Sequence, residues 1–395
     1  MPDSEACPPE QDPAVLSALY LGRIQAAVSQ ANDGAMCVLA GRLIRESLVT
    51  ALRQEGHSFT DERFFDWFAG LSTLSDVSAH KLRPPRALCQ AILTEFRHNP
   101  WPHLAEASER MARAFLAPVD LERNEGHEDT NALLAEARLV VDAIEPCDTD
   151  LPFTPVSALF SAARKSLRFA RQERGIELIK GPRSAVAVEV NEQTHSRWAL
   201  DILSGNYLAP KHGLPISAPL PGLLTFATEH NDPFDDDMPS IARPSGSNRE
   251  SLIALRDALW SLDRRLLDAI RDARCIADKL QNRRSNGRAG DVAFYLAGFG
   301  ILRGVQIERV IGASRLGVRT IMSTLVQAGL VEGETSRNAA TMFRFAPRDV
   351  NHPHAAQDAE DFAFSSQAID EFQSSMDAID ELLRRTSRSQ SEDGC

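Results

Sequence analysis

Apolar and polar positions repeat with a helical period over the first third of the chain. Val15 to Ser29, Ala35 to Gln54, Asp61 to Ala69, Arg86 to Arg97, Leu104 to Leu116 and Asn131 to Ile144 each carry apolar residues three and four apart. In the second segment Leu39, Leu43, Ser47, Leu48 and Leu52 make one stripe, while Arg42, Arg45 and Arg53 face away. Gly56, Pro84, Pro85, Pro100 and Pro102 punctuate these segments. The pattern predicts a helical domain over residues 14–147, preceded by a disordered, acidic, Pro-rich tail over 1–13.

The pattern loosens over 148–245, which reads as a mixed middle region. A helix is expected from Pro155 to Arg174, with Leu159, Phe160, Ala163, Leu167 and Ala170 on its apolar face. A strand is expected over Ser184 to Val190, then loops and short elements where Pro, Gly and Asp are dense. A long helix follows from about Arg249 to Leu280, with Ser247 and Glu250 spaced as a capping box. Its Leu252, Leu255, Leu259, Leu262, Leu266, Ala269, Ala273, Ile276 and Leu280 alternate by three and four. Such a seam fits a homodimeric coiled coil and fits equally a core helix packed within its own chain. Residues 349–395 read as an acidic linker, a short helix with Ile369, Phe372, Met376, Ile379 and Leu383, and a disordered tail. Two heptads are too short to stand alone, so that helix should dock on its own chain or on a second subunit.

Gln306 to Phe345 carries the most specific pattern. Ile307, Val310 and Ile311 supply the apolar side of a short helix, and Gly312 fits a turn with left-handed backbone. Ser314 is placed to cap a second helix whose buried face is Val318, Ile321, Met322 and Leu325. Ala328-Gly329-Leu330 ends it, Val331 begins a strand, Glu334 to Ala340 form a tip, and Met342 to Phe345 return. The order is that of a winged helix-turn-helix. The whole chain therefore reads as mainly α: a multi-helix N-terminal domain, then a long connecting helix and winged helix-turn-helix over 246–348. In that arrangement Arg315, Arg319 and Ser323 lie on the outer face of the second helix, suited to the edge of guanine or to phosphate. Ser314 at the helix start can donate to a phosphate. Arg337 and Asn338 at the tip, Arg344 on the return strand, and the cluster Arg283, Arg284 and Arg288 are further candidates for DNA contact. Gly317 departs from good helix-forming chemistry and is expected to permit a close helix crossing.

Charge sharpens that reading. The 395 residues carry a net charge of -12, which taken globally argues against nucleic acid. Yet Arg243 to Arg348 holds 18 basic and 10 acidic residues, so the positive charge is concentrated around the helix-turn-helix. A further basic stripe, Arg164, Arg168, Arg171 and Arg174, fits a solvated face better than a second DNA contact. Cys7, Cys37, Cys89, Cys147, Cys275 and Cys395 form no CxxC and show no zinc-ligand spacing, as suits a reducing compartment. No apolar run approaches the roughly 18 residues of a membrane span, and the N-terminus lacks a signal-peptide pattern. A cytoplasmic protein without membrane contact is expected.

The stretch KLQNRRSNGRAGDV, the helix-turn-helix after it, its Arg344-bearing strand and Leu262-Asp263-Arg264 before it resemble an alphaproteobacterial family common on rhizobial plasmids. Its members carry a domain of unknown function and a C-terminal helix-turn-helix DNA-binding domain. The resemblance covers residues 250–346, and GRLIRESLVTALRQEGHSF is loosely similar to the family's N-terminus. It implies a DNA-binding protein and no reaction. The combined expectation is a transcriptional regulator whose partner is double-stranded DNA, without a cofactor. Two alternatives stand beside it. One is an enzyme of unknown reaction built on His195, His230 or the carboxylates Asp232 to Asp237. The other is a plasmid-maintenance or antitoxin-like assembly protein. AMP-transferring Fic proteins share a helical domain followed by a winged helix. The stretch His230-Asn231-Asp232-Pro233-Phe234 lacks their glycines and Arg, and its three following carboxylates would repel phosphate. The same carboxylates suit a divalent cation, but an acidic surface loop is the commoner case.

Overall fold

Helix starts in this chain are set by short side chains and prolines at the positions where backbone N–H groups would otherwise be orphaned. Asn32 Oδ1 accepts from Ala35 N at 2.8 Å and Thr60 Oγ1 from Arg63 N at 3.2 Å. Pro13, Pro85 and Pro102 occupy first-turn positions that need no donor. The structure, a computed structural model, describes residues 12–74, 83–119, 129–145, 153–170, 175–180, 185–190, 196–226, 247–281, 287–335 and 340–347. The expected N-terminal tail, the acidic loop at 232–237, the helix over 369–383 and the C-terminal tail lie outside these residues.

The fold is mainly helical. The first helices are α1 (Pro13–Gln30), α2 (Asp33–Gln54), α3 (Asp61–Phe68), α4 (Pro85–Phe96), α5 (Pro102–Ala114) and α6 (Thr130–Asp142). Next come α7 (Thr154–Lys165), an antiparallel hairpin of β1 (Gly175–Lys180) and β2 (Ala185–Val190), α8 (Trp198–His212) and α9 (Leu223–Phe226). The long helix α10 (Ser247–Leu280) leads to α11 (Gly287–Phe299), β3 (Ile301–Arg303), α12 (Gly304–Ile311), α13 (Arg315–Gln327), β4 (Val331–Thr335) and β5 (Thr341–Phe345). The described residues up to Ala346 form one compact unit, and a single hydrophobic core runs from α1 through β5. The N-terminal helices and the C-terminal elements therefore share that core.

The heptad seam is satisfied within the chain. Leu255, Leu259, Leu262, Leu266, Ala269, Ala273 and Ile276 are buried, with α1, α2, α7 and α11 packed on α10. A homodimer through Leu252–Leu280 would need that packing undone, so the coiled-coil reading is replaced by the core-helix reading. Ion pairs stitch the same contacts: Arg23 to Asp263 at 2.8 Å, Arg42 to Asp272, and Arg265 to Glu46. The expected capping box at the start of α10 rests on the Ser247 side chain, which lies outside the described residues. Glu250 itself pairs with Arg164 of α7.

Three further expectations change. The helix expected to Arg174 ends at Lys165, and Leu167 is 98 % exposed instead of lining an apolar face. Arg164 and Arg168 of the basic stripe face Glu250 and Glu136, while Arg171 and Arg174 lie outside the described residues. Loops and short elements were expected past Val190, yet α8 is a 15-residue helix, nearly all of it buried. Beneath it a polar knot joins distant segments. Glu55 Oε1 accepts from Arg83, from Ser196 Oγ at 3.1 Å and from Trp198 Nε1 at 2.7 Å. All four residues are buried, so each donor stands in for water.

Two glycines decide how the C-terminal elements attach. A Cβ on Gly298 would lie 2.7 Å from the Val38 carbonyl, and one on Gly41 would lie 2.9 Å from Phe299 N. The backbones of α2 and α11 touch there, and no side chain fits between them. Gly298→Ala is expected to destabilise the fold by about 1–3 kcal/mol, as overpacking does. The check is denaturant unfolding; an unchanged midpoint would show that the helices part freely.

Asp201 of α8 is fully buried and accepts from Gly222 N and Leu224 N, each at 2.9 Å. Burial outweighs those donors and pushes its carboxyl up to about 7 from 3.8. The folded state then binds a proton that the unfolded chain releases. Asp201 contributes fully below 3.8 and loses that contribution as pH rises to about 7. Wild type should therefore lose stability relative to Asp201→Asn across that window. Parallel pH profiles from thermal unfolding of the two proteins would refute the assignment.

Candidate nucleic-acid interface

The C-terminal elements build one exposed helix on a small sheet. β3, β5 and β4 form an antiparallel sheet in that order, with Leu302 opposite Phe343 and Gly333 also opposite Phe343. α12 is closed by Gly312 at φ 62, where a Cβ would meet nothing within 4 Å. Glycine is needed there for backbone conformation, not for space. Ser314 Oγ then accepts from Gly317 N at 3.3 Å and starts α13. Gly329 at φ 62 lets the chain turn into β4, and Lys279 Nζ of α10 donates to its carbonyl at 3.1 Å.

Val318, Met322 and Leu325 of α13 are buried and Ile321 is half-buried, so the outer face is fixed by the helical period. Ser314, Arg315, Arg319 and Ser323 are all exposed on it. Arg315 and Arg319 line a surface groove of about 420 Å³ between α13, the start of α12 and β5. Arg303, Val305, Glu308 and Phe343 complete much of its wall. Three guanidinium groups against one carboxylate make it a positive groove. Among the described residues neither Arg315 nor Arg319 has an ion-pair partner. Arg23, Arg42, Arg53, Arg83, Arg110, Arg113, Arg138, Arg164 and Arg265 of the helical body all do. Holding two long cations free of carboxylates leaves their donors available to a ligand.

The other candidates separate from this pair. Ser323 lies two turns along α13 and accepts from Gln327 Nε2 at 3.4 Å. Arg288 is exposed in the first turn of α11. Arg344 is exposed on the central strand with Glu332 directly across from it, an opposite-charge cross-strand pair. Arg283, Arg284, Arg337 and Asn338 lie outside the described residues, as do His195, His230 and Asp232 to Asp237. Among the described residues no group of His, Cys, Asp and Glu is arranged to hold a metal ion, and no helix is long and apolar enough to cross a membrane.

Sequence reading missed Arg303, whose position before Gly304 carries no helix-face signal. It also missed Gln306. This buried amide accepts from Arg303 N at 2.9 Å and donates to Ala114 O at 2.9 Å and Phe68 O at 3.3 Å. It ties the start of α12 to the ends of α3 and α5, so the groove is held rigidly against the helical body.

Gly317 is not at a close crossing, contrary to expectation. A Cβ there would meet only Ser314 Oγ at 3.5 Å and Ala313 Cβ at 3.8 Å, ordinary contacts. Gly317→Ala is therefore expected to stabilise the protein by up to about 1 kcal/mol through reduced unfolded-state freedom. A lower melting temperature in the variant would contradict that geometry. Searches of protein-family models and of curated proteins find no match to this chain.

Proposed function

We propose that this chain is a double-stranded-DNA-binding protein of the winged helix-turn-helix type, acting as a transcriptional regulator. The observation that carries the reading is the outer face of α13. It presents Arg315 and Arg319 exposed, without carboxylate partners, beside a groove shared with Arg303. The order α11, β3, α12, α13, β4, β5 suits a helix laid in the major groove with a wing beside it. The concentration of positive charge in 243–348 supports a phosphate-bearing partner for this part of the chain.

Arg315 and Arg319 take the base-reading or phosphate-clamping roles, with the start of α13 near Ser314 oriented toward a phosphate. The acidic remainder of the chain would repel DNA elsewhere and favour this face. The test selects a site from random duplex DNA and measures affinity at several salt concentrations. Arg315→Ala and Arg319→Ala are each expected to weaken specific binding by about 1–3 kcal/mol where bidentate to a base. A phosphate contact would instead lower the salt slope by about one and weaken all sequences alike. Wild-type affinity in both variants, or no selected site, would end the proposal.

A further inference from the structure

We propose that a second groove, between α2, α3 and α10, binds a small organic monocarboxylate on Arg45. The groove encloses about 400 Å³, within the range of small-molecule sites. Four arginines line it, and three already have carboxylate partners. Arg42 binds Asp272, Arg265 binds Glu46, and Arg53 lies 3.1 Å from Asp61. The remaining lining carboxylate, Asp268, lies 3.2 Å from Arg271. Arg45 alone of the four has no ion pair among the described residues. Its hydrogen bond goes from Nη1 to the Phe299 carbonyl, at a long 3.4 Å.

Arg45 is half-buried, and burial reinforced by the nearby Arg42 pushes its pKa below the ordinary value. Glu46 and Asp61 offset that only in part, and a positive charge drawn from water with no carboxylate in direct contact favours an incoming anion. The groove also fixes the kind of anion. One uncompensated guanidinium balances a single negative charge, and a dianion would leave excess charge facing Glu46, Asp61 and Asp268. Val49, Phe64 and Phe65 supply apolar wall, which suits a carboxylate with a hydrophobic or aromatic body. The planar fork of arginine matches a carboxylate in two parallel hydrogen bonds.

The location adds a consequence. Phe299 ends α11, and Gly300 joins it to β3 at φ 115. A Cβ on Gly300 would lie 2.7 Å from Phe65 Cζ and 3.0 Å from Arg45 Nη1. A carboxylate drawing Arg45 toward the groove thus acts on the junction that carries the candidate DNA-reading elements. An effect on DNA affinity rests on the function proposed above, whereas binding itself does not.

The experiment titrates sodium benzoate into the full chain by calorimetry at a pH about one unit above the second dissociation of phosphate, so that inorganic phosphate serves as a mostly dianionic comparison. Wild type should bind benzoate saturably at one site and phosphate more weakly. Arg45→Met should lower benzoate affinity by at least roughly tenfold, the loss expected for a charge-assisted pair. It should melt no lower than wild type, because it removes an uncompensated charge. Arg45→Lys keeps the charge without the fork and should bind more weakly than wild type; it decides the matter if the Met variant does not fold. Arg315→Ala should bind benzoate like wild type whatever its effect on DNA. The proposal is overturned by no saturable heat in wild type, by phosphate matching benzoate, or by full affinity in Arg45→Met or Arg45→Lys.

Discussion

The backbone contact between α2 and α11 at Gly41 and Gly298 is the constraint on which the C-terminal half depends. It admits no side chain, so the two helices have essentially one separation and one crossing point. Everything downstream is measured from it. Gly300 turns the chain, β3 starts the small sheet at Ile301, and α12 begins at Gly304. Gln306 then fastens that helix to the carbonyls of Phe68 and Ala114. The face of α13 inherits its orientation from these contacts. A module hung on a flexible linker would have its orientation set by its ligand; here the body sets it in advance, which would lower the ordering cost of the proposed DNA binding.

The arrangement of charge follows from the same packing. α10 buries its apolar seam, so its flanking arginines and aspartates lie close to α1 and α2, where pairs such as Arg23 with Asp263 form. Pairs of this kind add little net stability individually, because desolvation offsets much of the attraction. Their effect is to neutralise the arginines of the body. The α13 face has no such neighbouring helix, and the carboxylate of Glu308 across the groove is outnumbered by Arg303, Arg315 and Arg319. Positive potential is therefore left where the helix is exposed, even though the chain as a whole is acidic.

The legibility of this fold tracked amphipathicity. Helices with one wet face, such as α2 and α5, show their period in the sequence and were read to within a few residues. α8 was not, because Trp198 through Ala209 is buried nearly all round, Asp201 and Ser204 included, and Pro210 falls inside it. A helix surrounded by others leaves no alternation to read. α11 was hidden by its glycines, Gly287, Gly290 and Gly298, which signal a turn by composition while one of them serves a helix crossing. The turn at Gly312, the cap at Ser314 and the outward Arg315 and Arg319 were legible because local rules fix them. The partner of the α10 seam was not, since periodicity defines a face and leaves its occupant open.

Arg45 lay in plain view on the polar face of α2, yet its lack of an ion pair among the described residues could not be read from that helix. The acidic groups that decide it come from α2, α3 and α10, each already claimed by another arginine. Which cation is left over depends on the tertiary pairing, and so does the neighbour it turns to instead, the last carbonyl of α11. The residue between that carbonyl and β3 is Gly300, held at a φ that other residues rarely adopt and packed against Phe65 and Arg45. In the carboxylate-binding proposal, movement of the Arg45 side chain would be felt there first, because a close-packed junction has little slack to absorb it. The charge left over in the body and the charge displayed on α13 are thus linked through one short turn of backbone. Under the carboxylate-binding proposal, that turn is the route by which the helical body would act on the face beside it.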